Sequence, residues 1–382
     1  MTSIGGAEMV DWNLAVATAT RLVRPGPEVS RDEARAVVAE LRRHARTSEE
    51  HVRAFTRMMP DGTASGPDTP VLVVDRAGWI RANVAGFREL LGPLLAKMQE
   101  RRGSGPGGAV LGSVGGKVTG VELGMLLSFL ASRVLGQYET FAPVAADLPG
   151  DPATGGRLLL VAPNIVQVER DLEVSPHDFR LWVCLHEETH RTQFTAVPWL
   201  RAHLEGEIHA FLGATEIEPG ALLERLREAV QSFAGARGDG ERDDEPHSFV
   251  ELVQTREQRE VLGRLTAVMS LLEGHADFVM DGVGPDVVPS VAEIREKFQQ
   301  RRAKGAGRLD AALRKLLGLD AKLRQYRDGE RFVRAVVGEV GVEGFNRVWT
   351  SPNTLPTRSE IAKPAEWVAR MHRRGSAGRE EG

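Results

Sequence analysis

The sequence of 382 residues has very few cysteines and tyrosines. It contains one cysteine, Cys184, and two tyrosines, Tyr138 and Tyr326. A single cysteine excludes an intrachain disulfide framework. Cys184 stands in an apolar run, so we predict that it is a small core residue and not a metal ligand or a nucleophile.

Long apolar runs and an excess of basic residues are also missing. The longest apolar candidate, Val121 to Leu135, is shorter than the roughly 18–20 residues that a membrane span requires, and it carries Glu122 and Arg133. The formal net charge of −4 predicts no basic surface for nucleic acid. The first eight residues have neither a basic start nor an apolar core, so we expect no secretion signal and a cytoplasmic location.

Most of the chain has the apolar periodicity of helices, with weaker signals for strands. Val71 to Val74 fits a short strand or an apolar segment that leads into the next helix. Arg157 to Val168 has the strongest strand signal, with Pro163 and Asn164 as a turn or an edge position. This strand either pairs with an extended peptide or lies in an ordinary core hairpin. The glycine-rich stretch from Arg101 to Gly116 is predicted to be a flexible connector.

The main functional signal is the sequence His-Glu-Glu-Thr-His at residues 186–190, in a segment that is predicted to be helical. His186 and His190 leave the same face of a helix, which suits a divalent metal ion, usually zinc, with two nitrogen ligands. Glu187 stands beside the first ligand, where a general base can take a proton from water. The preceding residues 179–185 are mostly apolar, so we predict a buried helix whose polar side chains need partners.

A catalytic zinc site also needs a third protein ligand and an open position. Glu273 and Asp277 lie four positions apart on one face of another predicted helix. We predict that Glu273 binds the metal and that Asp277 accepts a hydrogen bond from the far nitrogen of His186 or His190. His275 is the alternative third ligand, although it points about 200° away from Glu273 around the helix.

Together these residues resemble the gluzincin pattern of zinc metallopeptidases, in which a His-Glu-x-x-His helix is followed by a Glu-x-x-x-Asp segment. The chain is also similar to an actinobacterial zincin-like family of zinc-dependent metalloproteases, first catalogued as a domain of unknown function. One branch of that family is associated with coenzyme F420 biosynthesis. The similar segments are 133–138, 162–165, 179–190, 198–200 and 272–277. The resemblance implies zinc and hydrolase chemistry on His186, His190, Glu187 and Glu273.

One feature departs from the better-known gluzincins. Their third ligand follows within a few tens of residues, whereas Glu273 follows His190 by 83 positions. We therefore expect further helices between the two halves of the site. The predicted architecture is mainly α with a small β element: a helical N-terminal region at 1–117, a zincin-like catalytic core at 118–373 with an insertion around 199–250, and a disordered tail at 374–382.

The predicted function is zinc-dependent hydrolysis of an amide bond in a peptide or protein substrate, with Glu187 as general base. Tyr138 is a candidate donor to the oxyanion, although a tyrosine buried with its hydroxyl bonded to backbone is the more frequent case. The alternative is a non-catalytic protein stabilised by zinc, or a maturation partner linked to coenzyme F420 metabolism. A structural site would close its fourth position with a protein ligand, for which His275 and His177 are candidates.

Overall fold

The computed structural model describes residues 10–59, 70–102, 106–141, 156–213, 256–304 and 319–380. This part of the chain is mainly helical, as predicted. Its helices are α1 (Trp12–Leu22), α2 (Arg31–Thr56), α3 (Arg76–Arg102), α4 (Pro106–Ala131), α5 (Ala162–Leu172), α6 (Pro176–Ala196), α7 (Pro198–Gly213), α8 (Arg256–Gly282), α9 (Val291–Lys304), α10 (Leu319–Asn346), α11 (Arg358–Ala362) and α12 (Pro364–Glu380). Two 3-10 turns, Arg347–Trp349 and Pro352–Thr354, stand between α10 and α11.

The small β element is a three-stranded sheet of β1 (Val71–Val74), β2 (Gly136–Glu139) and β3 (Arg157–Val161). The strand order is β1-β3-β2, with β1 parallel and β2 antiparallel to β3. All five residues of β3 are buried, because it has a paired strand on each side and helices on its faces. The prediction of a strand at 71–74 is confirmed. β2 had no signal in the sequence analysis.

The predicted strand from Arg157 to Val168 is wrong beyond Val161, where α5 begins. Pro163 stands in the first turn of α5, a position that tolerates proline because the amide is unpaired there. The buried Asn164 side chain accepts a hydrogen bond from Arg76 and donates to the carbonyl oxygens of residues 131 and 134. β3 lies between β1 and β2, so it is a central strand. The interpretation of it as an edge strand that pairs with a peptide is also wrong.

The glycine-rich segment after Arg102 is another correction. From Pro106 onward it is the first part of α4 and not a flexible connector. Farther along α4, two glycines allow α1 to approach closely. A Cβ at Gly120 would lie 2.6 Å from the Asp11 carbonyl oxygen, and one at Gly124 would lie 2.7 Å from the Ala15 carbonyl oxygen. In this helix glycine serves packing between helices.

The chain divides into two compact units: residues Met1–Arg201 with Ala276–Arg301, and residues Ala202–His275 with Arg302–Gly382. The boundary between His275 and Ala276 falls inside α8, which is a single continuous helix. The predicted domain division at 117 is not tested by these units and stays a prediction. In the described part of the chain, no helix combines the length and the apolar character needed to cross a membrane.

The first unit contains the sheet and the helix with the predicted metal motif. Its main core joins residues of α2, β3, α5 and α6 to those of 279–294, among them Leu41, Leu160, Phe179, Val279 and Ile294. The last turns of α8 and the start of α9 therefore complete the core around α6.

The second unit packs α8 against α10 at the level of the backbone. A Cβ at Gly329 would lie 1.9 Å from the Ser270 carbonyl oxygen, so only glycine fits there. Phe332 and the buried Trp367 pack edge to face with ring centroids 5.9 Å apart. The chain stays helical through Glu380, so the prediction of a disordered tail from 374 is wrong up to that residue.

Candidate metal centre

Helix α6 carries the histidine motif and is held in place from its first turn. The Ser175 side chain accepts a hydrogen bond from the Asp178 amide, and Pro176 occupies the first turn. The Asp178 carboxylate accepts two hydrogen bonds from Ser290, from its amide at 2.9 Å and its hydroxyl at 2.6 Å. Cys184 is fully buried, which confirms a core position, and burial raises the pKa of its thiol.

His186 and His190 project from one face of α6 toward a common point. Their Nε2 atoms lie 3.2 Å apart, and the planes of the two rings are 89° apart. Both side chains are half-buried. The predicted geometry of the pair is therefore present.

The groups beside the two Nδ1 atoms indicate which ring nitrogens carry a proton. His190 Nδ1 lies 3.0 Å from the Gln193 side-chain oxygen and donates to it. His186 Nδ1 lies 3.2 Å from Met280 Sδ and 3.7 Å from Asp277 Oδ1, both of which are acceptors only. In neutral imidazoles this leaves a lone pair on each Nε2 atom, and the two lone pairs face each other.

Two facing lone pairs at 3.2 Å repel unless a cation lies between them. In a tetrahedral zinc site with bonds of about 2.0–2.1 Å, two nitrogen ligands are separated by about 3.3–3.4 Å. The observed Nε2–Nε2 distance of 3.2 Å is close to this separation. The histidine pair therefore fits a zinc ion without a change of rotamer.

The third predicted ligand is carried by α8. Glu273 and Asp277 lie one turn apart on that helix. One ligand atom from each of His186, His190 and Glu273 forms a group in which all the atoms lie within 4.8 Å of one another. His275 is buried among aromatic rings, with its centroid 5.3 Å from that of Phe345, and is not in the group.

Glu187, the predicted general base, is buried against the first residue of β2. A Cβ added at Gly136 would lie 2.5 Å from Glu187 Cγ and 2.8 Å from Glu187 Oε1. No other residue type fits at position 136 while the carboxylate keeps its place. The start of β2 therefore forms one wall of the space that Glu187 occupies.

Tyr138 lies two positions farther along β2 and is buried. Its ring stacks on Phe194 with centroids 5.6 Å apart, and its hydroxyl lies against the backbone of Gly156. This is the packing role that the sequence analysis gave as the more frequent case. A role for Tyr138 as oxyanion donor stays a prediction.

Glu188, the second glutamate of the motif, forms an ion pair with Arg191. Glu188 is buried and accepts hydrogen bonds from Arg191, whose guanidinium also reaches Glu49 of α2 at 2.6 Å. Burial raises the pKa of Glu188 to about 7, although Arg191 acts in the opposite direction. This group of three charges joins α6 to α2.

Three residues near the motif were missed in the sequence analysis. Gln193 is three positions after His190, so helical spacing alone could have indicated it as an orienting partner. Met280 shares a helix with Asp277 at the same spacing, but its apolar type pointed to the core. Gly136 gave no local signal, because its role depends on the approach of a distant helix.

Comparison with known proteins gives the family. A family model described as "Zincin-like metallopeptidase" matches residues 10–368. A crystal structure from Chloroflexus aurantiacus, described as a "putative hydrolase with a novel fold", is 32% identical to this chain, with a TM-score of 0.65. The match covers 95% of this chain and 99% of that one. No curated protein matches. Since the family model spans nearly the whole sequence, this chain belongs to the zincin-like metallopeptidase family.

Proposed function

We propose that this protein is a zinc-dependent peptidase in which His186, His190 and Glu273 hold the metal and Glu187 is the general base. The observation that carries the proposal is the 3.2 Å separation of the two Nε2 atoms, in one group with a Glu273 oxygen. Two imidazoles and one carboxylate are a ligand set of catalytic zinc, and the fourth position is left for water or substrate.

The residues around the ligands have orienting roles. Gln193 holds His190 in the tautomer that presents Nε2 as ligand. Met280 Sδ lies within hydrogen-bond distance of His186 Nδ1, and the charge of the Asp277 carboxylate, 3.7 Å from that nitrogen, favours a proton there. We therefore propose that Asp277 has its predicted orienting role at His186. The Met280 thioether shares this role.

The chemistry needs one group of the protein to take up a proton and then release it. When bound, zinc supplies Lewis acidity that makes water more acidic and a carbonyl carbon more electrophilic. Glu187 takes a proton from the attacking water while the oxygen adds to the carbonyl carbon of the peptide bond. It then gives the proton to the leaving nitrogen as the C–N bond breaks. The contact with Gly136 keeps the carboxylate in position for both transfers.

The alternative of a closed structural zinc site has less support. Its candidate fourth ligands were His275 and His177. His275 lies among Phe345 and Trp349. His177 lies beside Glu40 and His44, in a different group of side chains.

The test measures zinc content and cleavage of a synthetic peptide library, read by mass spectrometry. Glu187→Gln should keep its zinc and lose about 10²- to 10⁴-fold in rate, because a general base is removed. Glu273→Ala should lose both zinc and activity. The matched control is Glu257→Ala, an exposed glutamate in the first turn of the same helix. Parent-like cleavage by Glu187→Gln would overturn the mechanism.

A further inference from the structure

A second group of ligand-type side chains lies in the first unit, away from the histidine motif. It consists of Glu40 and His44 on α2 and His177 in the first turn of α6. One ligand atom from each residue lies within 4.8 Å of the other two. The proposed peptidase chemistry uses none of these residues.

Both imidazoles approach the same carboxylate oxygen. His177 Nδ1 lies 3.0 Å from Glu40 Oε1, and His44 Nε2 lies 3.4 Å from that same atom. Ligands of a tetrahedral zinc ion, with bonds of about 2.0–2.1 Å, are separated by about 3.3–3.4 Å. The ring centroids of the two histidines are 4.6 Å apart and their planes are 73° apart, so the rings do not stack face to face.

His44 provides a second, independent observation. Its side chain is more than nine-tenths buried, and its Nε2 atom has no hydrogen-bond partner among the described residues, although Glu40 Oε1 is near. A buried polar atom without a partner is unfavourable, because it has lost its hydrogen bonds to water. A metal ion bound at Nε2 would satisfy this atom.

The charges around the group favour a cation. Arg180 donates to the other oxygen of Glu40, which leaves Oε1 for a further partner. The charge of Arg180 is in turn offset by Glu169, which accepts two hydrogen bonds from the guanidinium. With neutral histidines, Glu40, Glu169 and Arg180 sum to one negative charge. Burial lowers the pKa of His44, which keeps its imidazole in the neutral form that binds metals.

We propose that Glu40, His44 and His177 form a second zinc site that joins α2 to the start of α6. The His177 side chain is 65% exposed, so an ion can enter from solvent and keep water at its remaining positions. The site lies at the N-terminal end of the helix that carries the histidine motif. Its ion would tie that end of the helix to α2.

The experiment measures zinc bound per chain by mass spectrometry after equilibrium dialysis at the same free zinc concentration. The parent should bind two ions, His177→Ala one, His190→Ala one, and the double variant none. His51→Ala is the control, since it removes a histidine of α2 outside the group, and it should keep both ions. Because His177 is exposed, its substitution should leave the fold intact, which circular dichroism checks.

A second readout separates the two sites. Added zinc should raise the melting temperature of His190→Ala and leave that of the double variant unchanged. Equal zinc content in the parent and His177→Ala would overturn the second site and leave the peptidase proposal standing. Failure of the peptidase proposal would instead appear as unchanged zinc content in His190→Ala. A parent that binds one ion, lost only in His190→Ala, would mean that His177 and Glu40 are merely an imidazole–carboxylate pair.

Discussion

At the scale of single residues, the candidate site depends on groups that carry no chemistry themselves. Gly136 is chosen for its missing side chain, because the Glu187 carboxylate occupies the volume that a Cβ would need. In the proposed site, Gln193 and Met280 would orient His190 and His186 so that each presents its Nε2 atom to the metal. The proposed reactivity of the motif thus depends on neighbours from a strand and two helices.

We expect Gly136→Ala to reduce peptide cleavage strongly while zinc is retained. The added methyl would lie 2.5 Å from Glu187 Cγ, so the carboxylate must move, whereas both histidines stay in place. The control is Gly92→Ala, a glycine of α3 whose added Cβ meets nothing within 4 Å. That variant should be active and more stable by about 0.5–1 kcal/mol. An unchanged kcat in Gly136→Ala would show that the added methyl does not displace the Glu187 carboxylate.

We expect Asp277→Asn to lower zinc affinity by about 10- to 100-fold, as loss of an orienting partner does at other metal sites. The amide keeps the size of the side chain but removes the charge 3.7 Å from His186 Nδ1. Competition with a chromogenic chelator measures the affinity. Asp286→Asn is the control, as this aspartate lies beyond the end of α8. Equal affinities for the two variants would leave Met280 as the partner of His186.

The histidine motif could be predicted at this scale because all its residues lie within one helical turn and a half. Its pairing with Glu273 followed from helical spacing and from the family resemblance. The close approach of Gly136 to Glu187 could not be predicted, since a glycine that admits a distant carboxylate looks like any other glycine in sequence.

At the scale of elements, the sheet contains a buried ion pair that holds β2 to β3. Arg157 Nε lies 2.5 Å from Glu139 Oε2, and the two residues face each other across the strands. Both side chains are almost fully buried. Burial raises the pKa of Glu139, and Arg157 partly offsets this.

We expect Arg157→Met to destabilise the protein by about 3–5 kcal/mol near neutral pH, because it leaves a buried carboxylate without its cation. The pKa of Glu139 would rise further, so the native state would take up a proton at a higher pH than the unfolded chain does. The deficit in unfolding free energy should therefore shrink as the pH falls toward the ordinary glutamate pKa of 4.5. Urea titrations across this pH range measure it.

The matched control adds Glu139→Gln to Arg157→Met. Without an ionisable group at 139, the deficit should be smaller near neutral pH and nearly independent of pH. If the loss of unfolding free energy in the double variant still depends on pH, a group other than Glu139 causes that dependence.

At this scale the helical character of most of the chain was predicted correctly, and two of the corrections share one cause. The glycine-rich segment and Pro163 were interpreted locally as a connector and a turn, whereas the chain from Pro106 belongs to α4 and Pro163 lies in the first turn of α5. β2 escaped detection because a strand of four residues is too short for its alternation of non-polar and polar residues to stand out.

At the scale of the whole molecule, metal binding and stability are linked. In His177→Ala only the histidine motif would bind zinc, so chelation should lower the melting temperature of this variant. At free zinc of 100 times Kd the bound ion contributes about 2.7 kcal/mol. The same chelation should not affect His177→Ala combined with His190→Ala. Differential scanning calorimetry measures both, and equal shifts would contradict a metal bound at the motif.

The fold class could be predicted because periodicity and family resemblance agree, and the family match over residues 10–368 supports it. The division into units could not be predicted. The first unit is discontinuous, and nothing local marks Ala276–Arg301 as part of it. The predicted link to coenzyme F420 metabolism stays a prediction.

The late position of α8 in the sequence has a consequence for the order in which the protein is made. A ribosome adds about 5–20 residues per second, so the 83 positions from His190 to Glu273 take roughly 4–17 s. During that interval the nascent chain has both histidines and the general base but not the third proposed ligand. It also lacks Val279 and Ile294, which complete the core around α6. Under the proposed function, the growing polypeptide therefore lacks a complete metal centre until α8 has been synthesised.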